Sequence, residues 1–474
     1  MLQAVSRYAK ALLPRHVARP LSSAAVDASH SVRRPRGVRM GWSKEVIGDL
    51  LPFTSELVTS RGRHMESIAV GYCSPSPPVT VTDPATNVST TARRVDDSWL
   101  EIILPFSDQP TMRDMMVRAD GQTIRYGKLF EILDALAADV AYRHIQTSKM
   151  DIHNSHISPS SLQLVVVTAS VDGVRASANI DVNNDLKLQG YLTYVGKSSM
   201  EVTIDIIAGS NDGSERKIGD TQFIMVARDN ATGSAAAVHG LHSMDVAQSA
   251  RFESGKRRAT GRKWRAATSL SIQPPQKDEV DLIHSLFLQS KSLKKEKGDF
   301  LKKLAQSNEC GSAAAEAAAI SEKKNFKWMG NTALKNVLLM HSQDRNIHGK
   351  IFGGFLMKQA FELAWVTSVI FLGIKNPVFI SVDDIQFVKP VNIGSILEFT
   401  STVVYSEGSK LVVLVKAFDV SVESGSREKT NMLTYVFSAP LGAPAVPAVM
   451  PKDYEEFINY LQGRRSLKSG APEH

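Results

Sequence analysis

The chain has 474 residues, 43% of them hydrophobic, and a formal net charge of +8 at pH 7. This length provides enough apolar surface for two or three domains, and no uninterrupted apolar run is long enough to predict a membrane-spanning helix. The only two cysteines, Cys73 and Cys310, lie far apart and without CxxC spacing, which argues against a disulfide scaffold, a zinc site and an oxidising compartment.

Residues 1–40 carry nearly all of the net charge. They contain Lys10 and seven arginines against one acid, Asp27, a net +7, so the remaining residues sum to about +1. A segment rich in Arg, Ser and Ala, with Leu12 and Leu13 on an apolar side, predicts a mitochondrial transit peptide and a location in the matrix. A disordered basic tail is the alternative. The nearly neutral remainder gives no reason to expect a nucleic-acid partner.

Residues 95–235 predict a first domain built from one long helix and several strands. Its helix begins at Gly127 and continues to Tyr142. The stretches with strand-like patterning follow as Ser170–Val174, Leu186–Val195, Met200–Ile207 and Phe223–Ala227. One helix followed by several antiparallel strands is an α+β unit in which the sheet wraps the helix.

Residues 240–330 predict a connector. Ser243–Arg258 and Asp278–Gln289 have helical patterns, Pro274-Pro275 breaks the chain between them, and residues 291–297 and 313–319 are expected to be exposed or mobile. A basic cluster between Lys256 and Arg265 predicts a solvated charged face, with contact to phosphates or anionic lipid as the alternative.

Residues 331–445 repeat the first domain in the order of elements. A helix after Gly354 continues to Leu372, and the strand-like stretches are Ser381–Ile385, Ile396–Tyr405, Leu411–Val420 and Thr434–Phe437. The two helices lie 227 positions apart, the two first strands 211 and the two strand turns 212. An insertion near residues 147–159 is expected in the first copy. These nearly constant offsets indicate an internal duplication. Residues 446–474 form a C-terminal extension, expected to be disordered from about residue 463.

The entry to the second helix is the most informative motif of the chain. A polar loop runs from Asn346 to the glycine pair Gly353-Gly354, directly before the helix. Glycines allow a ligand to approach backbone N–H groups closely, and the first N–H groups of a helix are unpaired and carry a partial positive charge. These groups are suited to stabilising an oxyanion. A simple tight turn is the alternative for this motif on its own.

Several motifs in the same order resemble those of the double-hotdog acyl-coenzyme A thioesterases. They are the loop and helix entry from Arg345 to Met357 with Glu362–Trp365, the stretch from Val382 through Lys389-Pro390-Val391 to Gly394, and Gly196–Val202. The similarity spans roughly residues 95–460. It implies two tandem hotdog domains, each a long central helix wrapped by an antiparallel sheet, packed about a pseudo-two-fold axis. It also implies hydrolysis of fatty acyl-CoA to a free acid and CoA. The sequence has no HExxH motif and no paired Cys ligands, so no metal or other cofactor is expected.

The resemblance also implies where the active site lies. In the family, a carboxylate on the helix of one domain meets an asparagine loop from the other domain. The family spacing puts the carboxylate at Asp134 in the first copy and at Phe361 in the second. It puts the asparagine at Asn346 in the second copy and at Ala119 in the first. Asp134 and Asn346 should therefore form one working site.

The expected chemistry is attack of water on a thioester. Asp134 would act as general base, or as a nucleophile in the variant mechanism, while Asn346 would hold the water or the thioester. The N–H of Gly354, with that of Gly353, would stabilise the oxyanion. Glu362, one position after Phe361, is expected to pair with Lys358 on its own helix.

The CoA phosphates require basic or N–H-rich contacts. The family pattern makes Lys197, Ser198 and Ser199 in the first copy, and Gly408, Ser409 and Lys410 in the second, the candidates, with a solvated turn as the alternative for each group. Oligomers of the double-hotdog protomer are expected by resemblance. The competing functional hypothesis is a non-catalytic hotdog module that binds acyl-CoA as a sensor or scaffold.

Overall fold

A computed structural model describes residues 39–40, 79–82, 89–118, 121, 123–145, 164–176, 180–209, 214–242, 245–306, 325–346 and 349–469. The transit-peptide prediction, apart from residues 39–40, lies outside these residues. So do Cys73, Cys310, Ala119, the insertion near residues 147–159 and the exposed segment predicted at 313–319.

The first repeat contains the predicted helix and strands. Its helices are α1 (Pro110–Met116) and α2 (Tyr126–Ile145). Its strands are β4 (Leu100–Leu104), β5 (Leu164–Ala176), β6 (Leu186–Val195), β7 (Ser199–Gly209) and β8 (Glu215–Asp229). Short strands precede and follow these, namely β1 (Arg39–Met40), β2 (Val79–Thr82), β3 (Ser89–Arg94) and β9 (Gly240–His242).

The second repeat has the same order. Strand β11 (Leu334–Leu339) precedes helix α5 (Gly353–Leu372). Strands β12 (Val378–Phe387), β13 (Ile396–Glu407), β14 (Lys410–Val420) and β15 (Arg427–Ser438) follow. Each long helix is apolar on most faces because a curved sheet encloses it. The predicted α+β fold of two hotdog domains is confirmed.

The two repeats share one antiparallel sheet, because β5 pairs with β12 at its centre. In that pairing Asp172 lies opposite Asp384, its counterpart 212 positions later, and the pairs Ser170–Gln386 and Val174–Val382 lie two positions to either side of it. A pseudo-two-fold axis therefore passes between Asp172 and Asp384. At one outer edge of this sheet, β1 runs parallel to β4.

Helices α2 and α5 pack against each other near the pseudo-two-fold axis, and ion pairs join them. Lys358 Nζ lies 3.2 Å from Glu131 Oε1, and Arg125 lies 3.2 Å from Glu362. The predicted pairing of Lys358 with Glu362 within one helix is wrong, because each of these two side chains pairs with a residue of the other repeat.

The predicted connector begins with a helix that packs on the first repeat. Helix α3 (Val246–Ala267) sets Gly255 against Tyr194, and its Arg258 and Arg262 bind the buried Glu201 at 2.5 and 2.8 Å. These two arginines are therefore not part of a solvated charged face. Helix α6 (Tyr454–Ser469) sets Gly463 against Tyr405 in the second repeat, in the same way.

The lysine-rich stretch from residue 291 belongs to a long helix, α4 (Lys277–Gln306), and is exposed as expected, apart from Leu293 among its described side chains. One sequence-based expectation about order was wrong. Residues 463–469 belong to α6, whose Leu461 and Gly463 are buried, so the tail is ordered beyond the predicted point. Both segments are polar in composition, and only tertiary packing of one face makes them helical. The short strands β10 (Phe326–Trp328) and β16 (Ala448–Met450) pair beside these helices.

One helix in the described part of the chain, α5, is long and apolar enough to span a membrane by length and composition alone. Its residues Met357, Ala360 and Ala364 are fully buried against the sheet and α2. A buried core helix passes the same test of length and composition.

Candidate active site

The Asp134 carboxylate of the first repeat lies at the amino end of helix α5 in the second repeat. The side chain is 1% exposed, and its Oδ2 accepts a 2.7 Å hydrogen bond from the backbone N–H of Gly354. Phe352, the residue preceding α5, provides no side-chain cap. A carboxylate from the other repeat therefore caps α5, where the partial positive charge of the helix favours an anion.

The two glycines are required by close packing. A Cβ atom on Gly353 would lie 2.9 Å from Asp134 Oδ2, and a Cβ on Gly354 would lie 2.8 Å from the backbone Cα of Glu131. Neither position accepts a side chain without movement of the helix pair or of the carboxylate. The glycine pair predicted from the sequence therefore lets helices α2 and α5 approach each other and brings Asp134 into contact with the start of α5.

Thr168 is a functional candidate that was not predicted from the sequence. Its hydroxyl donates a 2.7 Å hydrogen bond to Asp134 Oδ1, so both carboxylate oxygens have a donor. A β-bulge in β5 shifts the register between Thr168 and Ser170, and bulges change the direction of nearby side chains. A comparison of the two copies could have identified Thr168, because the equivalent residue 211 positions later is Phe379.

Burial raises the pKa of Asp134 from 3.8 to about 6, although hydrogen bonds from Thr168 and Gly354 oppose the shift. A carboxylate with this pKa is ionised at pH 7 and is a stronger base than an exposed aspartate. This is a suitable value for a general base that operates near neutral pH. Perturbed carboxyl groups at a helix end are typical of catalytic sites.

Asn346 lies at the start of the loop that leads into α5. The carboxamide Oδ1 of Asn346 accepts a hydrogen bond from the backbone N–H of Lys350 at 3.1 Å. The backbone N–H of Asn346 donates to the carbonyl of Lys350 at 2.6 Å. The loop is tied to the second repeat by the bond from Ile351 N–H to the Val391 carbonyl. The two hydrogen bonds between Asn346 and Lys350 lie within the loop itself, and a site shared by Asn346 and Asp134 stays a prediction.

The equivalent position in the second repeat is filled by aromatic side chains. Phe361 replaces the carboxylate and Phe379 replaces Thr168, and their ring centroids lie 5.3 Å apart in an edge-to-face arrangement. Phe130 of α2 lies 5.4 Å from Phe361 and Tyr126 lies 4.5 Å from Phe379. This aromatic cluster packs the two repeats together, and burial raises the pKa of its Tyr126 phenol to about 12, so the phenol stays neutral at pH 7.

The two groups proposed for CoA lie beside different sites. Strand pairing aligns Thr168 with Met225 and then Met200, so the turn at Lys197, Ser198 and Ser199 lies about two strand spacings, roughly 10 Å, from Thr168. The turn at Gly408, Ser409 and Lys410 lies beside Phe379 in the same way. Of these two turns, the first lies on the side of Thr168, which donates its hydrogen bond to Asp134.

A groove of about 440 Å³ borders the active-site loop. Val337, Leu339 and Phe355 form its apolar walls, and His341, Asp344 and Lys358 are polar residues along it. Phe355, which follows Gly354 in the chain, is one of the α5 residues that line this groove. Within the described ranges, no group of three or more His, Cys, Asp or Glu side chains is arranged to hold a metal ion.

Two fused hotdog domains, with a buried carboxylate at the amino end of the opposing helix, define the double-hotdog thioesterase class. Residues 348–425 match the sequence model of the thioesterase superfamily. The chain is 32% identical over 378 residues to the mitochondrial acyl-coenzyme A thioesterase 9 of Mus musculus, covering 80% of this chain and 79% of that protein. It is 31% identical to the mouse mitochondrial acyl-coenzyme A thioesterase 10 over the same length.

The chain therefore belongs to the acyl-coenzyme A thioesterase family, in the group of thioesterases 9 and 10, and the predicted family is confirmed. Solved structures that it resembles include an acyl-CoA hydrolase of Staphylococcus aureus in complex with butyryl-CoA, CoA and CoA disulfide. That protein is 26% identical, with a TM-score of 0.29, and the match covers 30% of this chain and 90% of that one.

Proposed function

We propose that this protein hydrolyses fatty acyl-CoA to a free fatty acid and CoA at one composite site between its two hotdog domains. The contact of Asp134 with the Gly354 N–H carries this proposal, because it places a buried base from one repeat at the positive helix end of the other. Family membership supports the acyl-CoA substrate class.

Asp134 acts as general base toward the attacking water in this proposal. Thr168 and Gly354 hold its two oxygens and keep the carboxylate ionised at neutral pH. Direct attack by the carboxylate, through an anhydride, is the variant mechanism. Oxygen-18 from labelled water would enter the enzyme carboxylate only in that variant.

Asn346 and the amino end of α5 position the thioester. The carbonyl oxygen becomes negative at the end of the helix where Gly353 and Gly354 lie, and the helix dipole stabilises this charge. The backbone N–H of Gly354 already donates a hydrogen bond to Asp134. It can donate to the oxyanion only after the Asp134 carboxylate has moved away from this N–H. Asn346 then holds the water or the thioester through its carboxamide.

The CoA phosphates contact the turn formed by Lys197, Ser198 and Ser199. This turn contains a cationic side chain and lies at the same end of the sheet as Thr168. The equivalent turn at Gly408, Ser409 and Lys410 adjoins the aromatic cluster, so it has no thioester site beside it. Substitution Lys197→Ala should raise KM for acyl-CoA more than Lys410→Ala does.

The groove beside the active-site loop accepts the acyl chain. Its apolar walls include Phe355, which follows Gly354 in the chain, and its volume is within the usual range for ligand pockets, about 300–1,000 Å³. Leu339→Trp should reduce kcat/KM for long acyl chains more than for acetyl-CoA. Val422→Trp, at an exposed apolar position that does not line the groove, is the control. An unchanged chain-length profile in Leu339→Trp would remove the groove from this role.

Release of free CoA thiol from a panel of acyl-CoAs tests the proposed function. The wild-type protein should turn over, and Asp134→Asn should lose most of its activity. Tight binding of acyl-CoA without turnover would instead support the non-catalytic sensor or scaffold.

Family membership also supports a proposed location and a proposed assembly. The mammalian relatives are named mitochondrial, and the Arg-rich residues 1–40 support import into the matrix, which a fusion of these residues to a reporter tests. Exposed Val366 and Ile370 on α5 support association of double-hotdog protomers. Light scattering coupled to size exclusion tests this assembly, and a monomer would contradict it.

A further inference from the structure

The positive charge outside the first forty residues is concentrated in the segment that joins the two hotdog domains. Residues 256–296 contain ten Lys or Arg and four Asp or Glu, whereas residues 41–474 as a whole are nearly neutral. Arg258 and Arg262 are bound to Glu201 and Asp172, but Lys256, Arg257 and Lys263 face solvent. This segment is therefore the basic surface of the described protein.

Helix α4 combines this charge with exposed apolar side chains on one stripe. Residues at helical spacing point away from the protein, and we call them the outer stripe of α4: Val280, His284, Phe287, Leu288, Lys291 and Lys295. Val280, Phe287 and Leu288 are 49%, 46% and 52% exposed. The amino-terminal half of the stripe is thus apolar and its carboxyl-terminal half is cationic.

The opposite face of α4 is fixed to the second hotdog domain. Leu286 and Leu293 are buried in a small core with Trp328 and Phe457. At the start of the helix, Arg465 of α6 binds Glu279 through two hydrogen bonds of 2.6 Å. The helix therefore does not turn its outer stripe inward, and large apolar side chains remain at the surface.

We propose that the outer stripe of α4 docks the protein on an anionic lipid surface. Lysines that neutralise lipid phosphates, beside aromatic and aliphatic side chains that enter the interfacial region, are the chemistry of membrane-surface helices. A nucleic acid offers no contact for Val280 and Leu288, so charge alone does not explain the stripe. The proposal is independent of the catalytic residues, because no stripe residue contacts them in the described structure.

Vesicle co-sedimentation of the full chain tests the proposal. The vesicles are phosphatidylcholine alone, or with about 30% phosphatidylglycerol to supply the negative charge. Lys291→Glu/Lys295→Glu should lower the partition coefficient on anionic vesicles at least ten-fold, since each lysine contributes a factor of roughly five. Phe287→Ser/Leu288→Ser should lower the partition coefficient on anionic vesicles as well. This decrease should persist at about 0.5 M salt, where interactions between charges are screened.

The matched control is Lys375→Glu/Lys429→Glu, which makes the same charge change at exposed positions outside α4. The basic residues 1–40 are common to all variants, so differences between variants report the stripe. Equal vesicle binding by the stripe and control variants overturns the proposal. So does a stripe variant that changes the oligomeric state while vesicle binding stays the same, because the stripe is then an interface between copies. Turnover of acetyl-CoA should stay unchanged in every variant, which separates this test from that of the proposed function.

Discussion

The backbone N–H of Gly354 donates a hydrogen bond of 2.7 Å to the carboxylate of Asp134, 220 residues earlier in the chain. This bond joins the second repeat to the first at the end of a helix that lacks its own side-chain cap. It also fixes the orientation of the buried carboxylate. The same hydrogen bond therefore caps helix α5 in the second domain and aligns the proposed base, Asp134, in the first.

Replacement of Thr168 should change the pH dependence of the enzyme. Thr168→Val removes a donor to the Asp134 carboxylate, and a donor favours the charged form. The pKa of Asp134 should rise further above 6 by roughly 1–2 units. The pH profile of kcat/KM should therefore shift to higher pH, with part of the activity recovered at alkaline pH.

Thr221→Val is the control for this change. Thr221 is also a buried strand threonine, but its hydroxyl has no hydrogen-bond partner among the described residues. Its replacement should leave the profile unchanged. If Thr168→Val has the wild-type pH profile, Thr168 does not act on the base.

Asp134→Asn should stabilise the protein at neutral pH. Asp134 has a folded pKa of about 6, above its ordinary value of 3.8, so the folded state binds the proton more tightly than the unfolded state. Stability from this group is present below pH 3.8 and is lost as the pH rises toward 6. Asparagine carries no charge, so the variant should gain on the order of 2–3 kcal/mol at pH 7 and nothing near pH 3.5. Urea unfolding at both pH values measures this, and a gain that does not depend on pH would contradict it.

Gly353→Ala should displace the carboxylate. The new Cβ would lie 2.9 Å from Asp134 Oδ2 and 3.4 Å from the Phe387 ring. Displacement of a catalytic group by a fraction of an ångström should reduce kcat by roughly 10–100-fold. Gly261→Ala on α3 is the control, because its nearest neighbour would be 3.9 Å away. That change should stabilise α3 by about 0.5–1 kcal/mol and leave kcat unchanged. Equal kcat values for the two variants would show that the contact at Gly353 is unimportant for turnover.

Phe361→Ala should reduce stability and spare catalysis. Phe361 is 3% exposed and contacts several aromatic rings that join the repeats, so its loss should cost about 3–5 kcal/mol. Tyr454→Ala, at a side chain that is 70% exposed, should cost less than about 0.5 kcal/mol. The folded Phe361→Ala variant should retain kcat within a few-fold at a temperature where it is stable. Loss of turnover in the folded variant would assign this position to the working site.

The sequence predicted the repeated elements well because their signals are local. Helix α2 begins one residue before the predicted Gly127, and strand β6 has the predicted bounds. Periodic burial in helices and strands explains this success. The family spacing also led to Asp134, which the structure places against Gly354.

Contacts between distant segments were not predictable in this way. Thr168 reaches Asp134 through a bulge in a strand that follows an insertion, so no fixed spacing relates the two residues. Lys358 binds Glu131 instead of its neighbour Glu362 because the register of two packed helices decides which charges meet. The ordered end of α6 depends on packing against β13, and the polar composition of its last turns gives no sign of this.

A double-mutant cycle on Asp134 and Asn346 tests most directly whether the two repeats build one working centre. CoA release would be measured for Asp134→Asn, Asn346→Ala and the double variant. Each single change should lower kcat/KM by about 10²-fold or more, and the double variant should fall little further, because residues that act as a unit are not additive. Losses that multiply in the double variant, or a single variant with wild-type turnover, would contradict a shared site.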